Sequence, residues 1–271
     1  MSLNRKLRFL STAKMPPVYS KVKVTTSYDG NLSLDFRNCG INCLYFTNVF
    51  TTEEADAIFS SLLGAGVLSQ HTYQNAFGKT ITPHRLTFAT VPDRAAYRYN
   101  GKDLVALDSE LYDSTIDRIK SKIFVPETMH FSDSTICNGY RYNNDDCISP
   151  HVDTEKFLQP GNSFYFGESA VYTLTFMADP NKRMEYRLGN PDTSVGYSIT
   201  PAHGSLIIQG NVLHEVVKCK GDNELGRISL TLRKLREDCA HNDLNCTKVK
   251  CSRNIGASNY LYYSNKHSHL L

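Results

Sequence analysis

The stretch from 134 to 234 constrains the fold most, because its short apolar or alternating runs are separated by turn residues. These runs are rich in β-branched and aromatic residues, as strands are. They lie at 171–176, 184–188, 205–208 and 228–232. Many short strands in close succession are typical of a β-sandwich or a jelly roll.

Helical signals precede this region. Thr51 and Glu54 fit a capping box, and apolar residues then recur at helical spacing as far as Leu63. A second helix is predicted over about 108–123. Helices followed by a run of strands favour an α+β fold. We therefore expect a double-stranded β-helix (jelly roll) core buttressed by N-terminal helices.

The chain of 271 residues has room for one large β-rich domain. We place this domain at 38–236, between a basic N-terminal arm (1–37) and a polar C-terminal tail (237–271). The arm has no acidic residue before Asp29. It could bind the phosphates of a nucleic acid or direct import into an organelle, and the alternative is a frayed, solvated terminus. The tail contains four soft metal ligands without a C-x-x-C spacing, which favours adventitious thiols over zinc. They are Cys239, His241, Cys246 and Cys251.

Composition excludes some classes of protein. No apolar run approaches the roughly 18 residues of a membrane-spanning helix, so we expect no membrane partner. Eight cysteines are sparse for a disulfide scaffold, and the start lacks a secretory signal. We therefore expect an intracellular monomer in nucleus or cytoplasm, with organelle import left open. The net charge of +3 does not by itself identify a nucleic-acid binder.

Two histidines and one carboxylate form a candidate metal site. His151 and Asp153 are two residues apart, a spacing that places both on one face of a strand, and His214 follows a later strand. Two His and one carboxylate are the facial triad of non-haem iron(II) oxygenases. A single His-x-Asp triplet is a weak signal, because residues 241–243 form a second one. Only the triplet at His151 is followed by a lone His and then by a strand with alternating polar and apolar residues.

That patterned strand spans 227–233. Its alternation places the polar residues Arg227, Ser229, Thr231 and Arg233 on one face. Two guanidiniums on an inward face require anionic partners, because a buried unpaired charge is costly. A dicarboxylate such as 2-oxoglutarate would supply two carboxylates that the planar arginine fork binds well. An amphipathic strand with a solvated polar face is the alternative.

Residues from about 83 to 235 resemble the AlkB-type iron(II)/2-oxoglutarate dioxygenases, which demethylate nucleic acids oxidatively. Several segments carry the resemblance in the family's order. They are Asn138-x-Tyr140, His151-x-Asp153-x-Glu155, the strand 183–187, the segment 202–206 with His214, and Arg227-x-Ser229-x-Thr231-x-Arg233. Ser229 stands where the family signature has Asn.

The resemblance implies a role for each matched residue. His151, Asp153 and His214 would bind Fe(II), leaving positions for 2-oxoglutarate and O2. Arg227 and Tyr140 would hold the distal carboxylate of 2-oxoglutarate. Two further pairs complete the implied cosubstrate site: Arg233 with Asn138 at the chelating end, and Ser229 with Thr231 along the pocket.

The resemblance also implies a substrate. It indicates demethylation of alkylated bases, such as 1-methyladenine or 3-methylcytosine, in DNA or RNA of undetermined strandedness. Glu155 would contact the base, and the region with Arg85, Tyr97 and Tyr99 would recognise the nucleotide by stacking. Ordinary tyrosine packing on a hairpin is the alternative for the two rings. The same core could also hydroxylate a protein side chain or a metabolite, or belong to a silent nucleic-acid binder.

Overall fold

The computed structural model describes only part of the chain. The described residues are 18–21, 25–26, 32–66, 68–74, 78–90, 97–99, 102–104, 109–123, 125, 131–132, 134–142, 146–153, 166, 169–182, 184–190, 195–218 and 224–234. Glu155, Arg183 and the predicted tail with its cysteines lie outside them. The side chains of Tyr97 and Tyr99 also lie outside them.

The described elements comprise strands, two α-helices and a 3-10 helix at Arg37–Cys39. The first strands are β1 (Val18–Lys21), β2 (Thr25–Thr26), β3 (Leu32–Asp35) and β4 (Cys43–Phe46). After α1 (Thr52–Gly64) come β5 (Tyr73–Gln74), β6 (Thr80–Ile81), β7 (Leu86–Thr90), β8 (Tyr97–Tyr99) and β9 (Lys102–Leu104). After α2 (Ser109–Lys122) come β10 (Ser134–Arg141), β11 (Ile148–His151), β12 (Val171–Met177), β13 (Tyr186–Gly189), β14 (Val195–Ile199), β15 (Ser205–Gln209), β16 (Leu213–Val216) and β17 (Leu225–Arg233).

Two sheets form the body of the protein. The larger has the order β2-β3-β4-β15-β12-β17-β10-β7, and the smaller has the order β1-β14-β13-β16-β11. The chain moves repeatedly between them: β10, β12, β15 and β17 join the larger sheet, whereas β11, β13, β14 and β16 join the smaller. This two-sheet winding of eight strands is a jelly roll. The predicted fold class is therefore confirmed.

The helices cover the outer face of the larger sheet. Helix α1 starts with the predicted capping box, in which the Glu54 amide donates to Thr51 Oγ1 (3.2 Å) and the Thr51 amide donates to Glu54 Oε2 (2.8 Å). Phe59 of α1 and Ile119 of α2 are buried in the cluster that also contains Leu230 of β17. Within the described ranges, no helix has the length and apolar character needed to cross a membrane.

A second apolar cluster lies between the two sheets. It includes Tyr140 of β10, Ile207 of β15 and Leu188 of β13. Alternation along β17 places Ile228, Leu230 and Leu232 in the cluster with the helices and directs its other side chains to the opposite face. The polar residues of β17 consequently face the smaller sheet, on the inside of the jelly roll.

The sheets begin earlier than the expected domain boundary at residue 38. Strands β1, β2 and β3 all fall within 1–37, the segment assigned to the basic arm. Strand β1 pairs with β14 and β3 pairs with β4, and Leu34 and Phe36 are buried. The basic residues on which that assignment rested lie before residue 25, and net charge reports on solvation and not on strand pairing.

Gly226 is a point of close approach that we expect to resist substitution. It is the extra residue at the register shift between β10 and β17, and its carbonyl accepts a hydrogen bond from the Tyr142 hydroxyl (3.2 Å). A Cβ atom here would lie 2.1 Å from Cε2 of Tyr142. Gly226→Ala should therefore lower the free energy of unfolding by about 1–3 kcal/mol or more, as measured by urea denaturation.

Gly64→Ala is the matched control. An added Cβ there meets nothing within 4 Å, and alanine is favoured over glycine in a helix by about 0.5–1 kcal/mol. This variant should be as stable as the wild type or more so. Equal stabilities of the two variants would contradict the role given to Gly226.

Candidate metal centre

Strand pairing brings the two predicted histidines together. Strands β11 and β16 are antiparallel neighbours in the smaller sheet, and His151 lies directly opposite His214. Their ring centroids are 4.1 Å apart. Asp153 Oδ2 lies 3.9 Å from His214 Nε2, and one potential ligand atom from each of the three residues lies within 4.8 Å of the others. Three ligands at this separation can share one metal ion.

Asp153 reaches the site from outside the strand. Strand β11 ends at His151, whereas the sequence analysis placed both residues on one strand. The pairing with β16 shifts register between Ile148 and His151, and Pro150 cannot donate a ladder hydrogen bond. The chain therefore leaves the sheet at His151, and a buried Asp153 turns back towards the histidines.

Backbone carbonyls set the tautomer of both histidines. Nδ1 of His151 lies 2.9 Å from the Ser149 oxygen, and Nδ1 of His214 lies 3.0 Å from the Val212 oxygen. A carbonyl oxygen only accepts, so each Nδ1 carries the hydrogen and each Nε2 keeps its lone pair. Metal-binding histidines are oriented in this way in proteins.

Both imidazoles are held neutral. Desolvation is the main cause that lowers the pKa of His151 far below its usual value, and a charge on His214 would lower it further. Desolvation also lowers the pKa of His214, against the opposing effect of Asp153. Neutral imidazole is the form that binds a metal, so the pair is in its metal-binding form at neutral pH.

The carboxylate of Asp153 is ionised and only partly satisfied. Burial raises its pKa, but the opposing effects, of which the charge of Arg233 is the largest, outweigh burial and hold the pKa below its usual value. Oδ1 accepts from Arg233 Nη2 (2.7 Å), whereas Oδ2 has no hydrogen-bond partner in the described part of the chain. A buried anionic oxygen beside two imidazole lone pairs fits a divalent cation.

Arg233 has a partner that the sequence analysis did not assign to it. The expected role was to steady the chelating end of 2-oxoglutarate. In the structure its guanidinium binds the carboxylate of Asp153. Arg233 therefore orients a metal ligand and keeps it ionised.

A second polar pocket surrounds Arg227. This side chain is 1% exposed, and its guanidinium lies over the rings of Tyr140 (5.3 Å) and Tyr186 (5.9 Å). Nη2 donates to Thr175 Oγ1 (3.2 Å), whereas Nε and Nη1 have no partner among the described residues. Burial lowers the pKa of Arg227, and the surrounding tyrosines oppose this effect.

The Arg227 pocket fits a carboxylate. Among the residues that the structure describes, no carboxylate pairs with this guanidinium. Guanidinium N–H groups bind carboxylates bidentately, and a buried cation without an anion is unfavourable. A ligand carboxylate would satisfy both needs.

The remaining predicted cosubstrate residues line the same inner wall. Asn138 of β10 lies opposite Ser229 of β17, which lies opposite Thr175 of β12. Thr231 is buried two residues further along. Asn138 Oδ1 also accepts from Arg85 Nε (3.1 Å), which brings a residue predicted for substrate binding to the edge of the pocket.

Three residues of the site were not assigned to it from sequence. They are Thr175, Tyr186 and Gln209, all of them buried. Gln209 ends an otherwise apolar strand, and a polar residue in such a position was the available signal. Tyr186 lies between the charged residues Glu185 and Arg187, an alternation that marks it as inward-facing.

No protein-family model matches this chain, and no curated protein matches it. Solved structures similar to it include OsALKBH1 (14% identity, TM-score 0.47, covering 72% of this chain and 98% of that one). Another is a Burkholderia pseudomallei oxidoreductase of the 2OG-Fe(II) oxygenase family (16% identity, TM-score 0.49, covering 73% of this chain and 87% of that one). A third is a Pseudomonas putida prolyl-4-hydroxylase (14% identity, TM-score 0.47, covering 73% of this chain and 95% of that one).

We expect the triad to bind a divalent metal. His151→Ala, Asp153→Ala and His214→Ala should each weaken Co(II) binding by more than about a hundredfold, since even partners behind the ligands contribute 10- to 100-fold. Visible absorption of Co(II) would report binding, and circular dichroism would report folding. The exposed His84 provides a matched control, because His84→Ala should bind Co(II) normally. Normal binding by any triad variant would contradict the site.

Proposed function

We propose that this protein is an iron(II)/2-oxoglutarate-dependent dioxygenase. The observation that carries the proposal is that two charged groups inside the jelly roll, one anionic and one cationic, are incompletely satisfied. Among the described residues, Asp153 Oδ2 has no hydrogen-bond partner beside two imidazole lone pairs, and no carboxylate pairs with the Arg227 guanidinium. An iron(II) ion and a dicarboxylate together would satisfy both.

The chain's own residues have distinct tasks in this activity. His151, Asp153 and His214 hold the iron, and Arg233 keeps Asp153 ionised and oriented. Arg227, set by the Tyr140 and Tyr186 rings, takes the distal carboxylate of 2-oxoglutarate. Iron(II) with 2-oxoglutarate and O2 supplies the oxidising power to hydroxylate a C–H bond, with release of succinate and CO2.

For the substrate, we propose an alkylated base in DNA or RNA, such as 1-methyladenine or 3-methylcytosine. Hydroxylation of the N-methyl group gives a hydroxymethyl group that leaves as formaldehyde. The ordered motifs in the sequence support this choice. The position of Arg85 also supports it, because its Nε bonds Asn138 and its charge helps to lower the pKa of His151. A cation at this edge can bind a phosphate of the nucleic acid.

We expect Arg227→Lys to impair use of 2-oxoglutarate. Lysine keeps the charge but loses the planar fork, and one charge-assisted hydrogen bond contributes about 1.5–3 kcal/mol. The KM for 2-oxoglutarate, measured by succinate formation, should rise roughly tenfold to a hundredfold. Arg187→Lys changes a half-exposed arginine paired with Glu185 and Glu215, and its KM should match that of the wild type. An unchanged KM in the Arg227 variant would remove this residue from the site.

Formaldehyde release tests the substrate. The protein, supplied with iron(II), ascorbate and 2-oxoglutarate, should release formaldehyde from oligonucleotides that contain 1-methyladenine or 3-methylcytosine. Tyr99→Ala and Glu155→Ala should reduce this release, because stacking contributes about 1–3 kcal/mol per base and a carboxylate favours a cationic base. Succinate formation without substrate should persist in both variants. Succinate without formaldehyde in the wild type would shift the substrate to a protein side chain or a metabolite.

A further inference from the structure

A hairpin leads into β7, the edge strand of the larger sheet. Strands β5 and β6 form its outer part, and a bridge between Ser69 and Thr87 joins its two arms at the sheet. Its described side chains are exposed or half-buried over 69–72 and 78–86. Apolar burial therefore contributes little to holding this hairpin in place, and its position depends on polar contacts.

Two side chains hold the backbone of the hairpin just before β7. Nε2 of Gln70, on the first arm, donates to the carbonyl oxygens of Pro83 (2.7 Å) and His84 (3.2 Å). Nη2 of Arg141, at the end of β10, donates to the same His84 oxygen (2.5 Å). Arg141 is thus a direct link between the hairpin and the body of the larger sheet.

A buried carboxylate fixes the orientation of Arg141. Asp146 is 0% exposed. Its Oδ2 accepts from the backbone amide (2.8 Å) and from Nε (3.0 Å) of Arg141, and its Oδ1 accepts from Nη2 (3.3 Å). A planar guanidinium held in this way has little freedom to turn. Nη2 consequently bridges the Asp146 carboxylate and the His84 carbonyl.

Arg85 follows the anchored carbonyl of His84 and reaches the edge of the pocket. Its Nε donates to Asn138 Oδ1 (3.1 Å), and its charge helps to lower the pKa of the metal ligand His151. The direction of the Arg85 side chain depends on the backbone that precedes it. That backbone is the part of the hairpin that Arg141 holds.

We propose that Arg141, oriented by Asp146, is a positioning residue that holds Arg85 ready for a phosphate of a nucleic acid. This inference rests on the proposed nucleic-acid substrate and adds a residue that acts without touching the substrate. An exposed hairpin without its anchor samples more conformations, so more entropy is lost when it binds. The anchor removes that loss beforehand and directs a cation to the edge of the pocket.

Arg141→Lys tests the anchor. Lysine keeps a cation for the buried carboxylate of Asp146, but it lacks the planar fork that bonds this carboxylate and the His84 carbonyl together. In the full-length variant without substrate, hydrogen–deuterium exchange over residues 78–86 should be faster than in the wild type. Unchanged exchange would show that Arg141 does not hold the hairpin.

A second variant serves if Arg141→Lys does not fold. The double change Arg141→Met with Asp146→Asn removes both charges, so no buried charge is left without a partner. It should produce the same faster exchange over 78–86 and the same loss of oligonucleotide binding.

Binding of a methylated oligonucleotide tests the consequence for Arg85. Fluorescence anisotropy would follow a labelled single strand that contains 3-methylcytosine. Arg85→Gln should weaken binding roughly tenfold and Arg141→Lys at least about threefold, because a charge-assisted contact is lost or loosened. Each change should also reduce the slope of log Kd against log salt by about 0.7, the value for one phosphate contact on a single strand. A purely structural defect would leave this slope unchanged.

A double variant separates positioning from direct contact. If Arg141 acts through Arg85, Arg141→Lys should weaken binding no further in the Arg85→Gln background. Additive losses would mean that Arg141 acts independently, and they would overturn the inference. Arg118→Lys is the matched control, because Arg118 pairs with Glu54 between the two helices. It should change neither exchange over 78–86 nor oligonucleotide binding.

The outcomes separate this inference from the proposed function. Failure of the wild type to bind the oligonucleotide would overturn the nucleic-acid substrate and, with it, the task given to Arg141. Normal binding by the wild type, with unchanged exchange, affinity or salt slope in Arg141→Lys, would overturn the positioning role alone. Faster exchange together with a non-additive loss of binding would establish it.

Discussion

Two arginines on the inner face of β17, the buried Arg227 and the partly buried Arg233, impose the requirement that shapes this site. A guanidinium inside a protein needs anionic or aromatic partners, since desolvation of the charge is unfavourable. Arg233 finds the carboxylate of Asp153 (2.7 Å). Arg227 contacts tyrosine rings and one hydroxyl, and two of its nitrogens have no hydrogen-bond partner in the described ranges. One arginine thus orients a metal ligand, while the other keeps N–H donors of the kind that bind a carboxylate.

The metal centre exists only where the two sheets meet. The smaller sheet provides His151 and His214 through the pairing of β11 with β16. The larger sheet provides Arg233 of β17, which binds Asp153, and Gln209 of β15, which contacts His214. Because these contacts join the two sheets, the site assembles only when the sheets pack against each other. Metal binding should therefore be coupled to folding.

Parts of this architecture could be predicted because they depend on local sequence. The capping box at Thr51, the strand pattern of β17 and the helix near 108–123 all follow from short-range spacing. The triad residues were likewise identifiable, because His-x-Asp and a later His have a recognisable context. By contrast, the start of the sheets before residue 38 was missed, since pairing of β1 with a distant β14 leaves little local signal.

The sequence by itself determined which residues alternate inward and which chemical groups the chain can present. It did not determine which of these side chains contact one another in the folded protein. Arg233 meets Asp153, and Gln209 lies between Tyr186 and His214, only because distant strands pair in a given register and the sheets then close. Such contacts arise from burial and strand order, which short-range spacing does not encode. The tertiary structure therefore decided the tautomers, the ionisation and the unpaired atoms from which the site's chemistry is inferred.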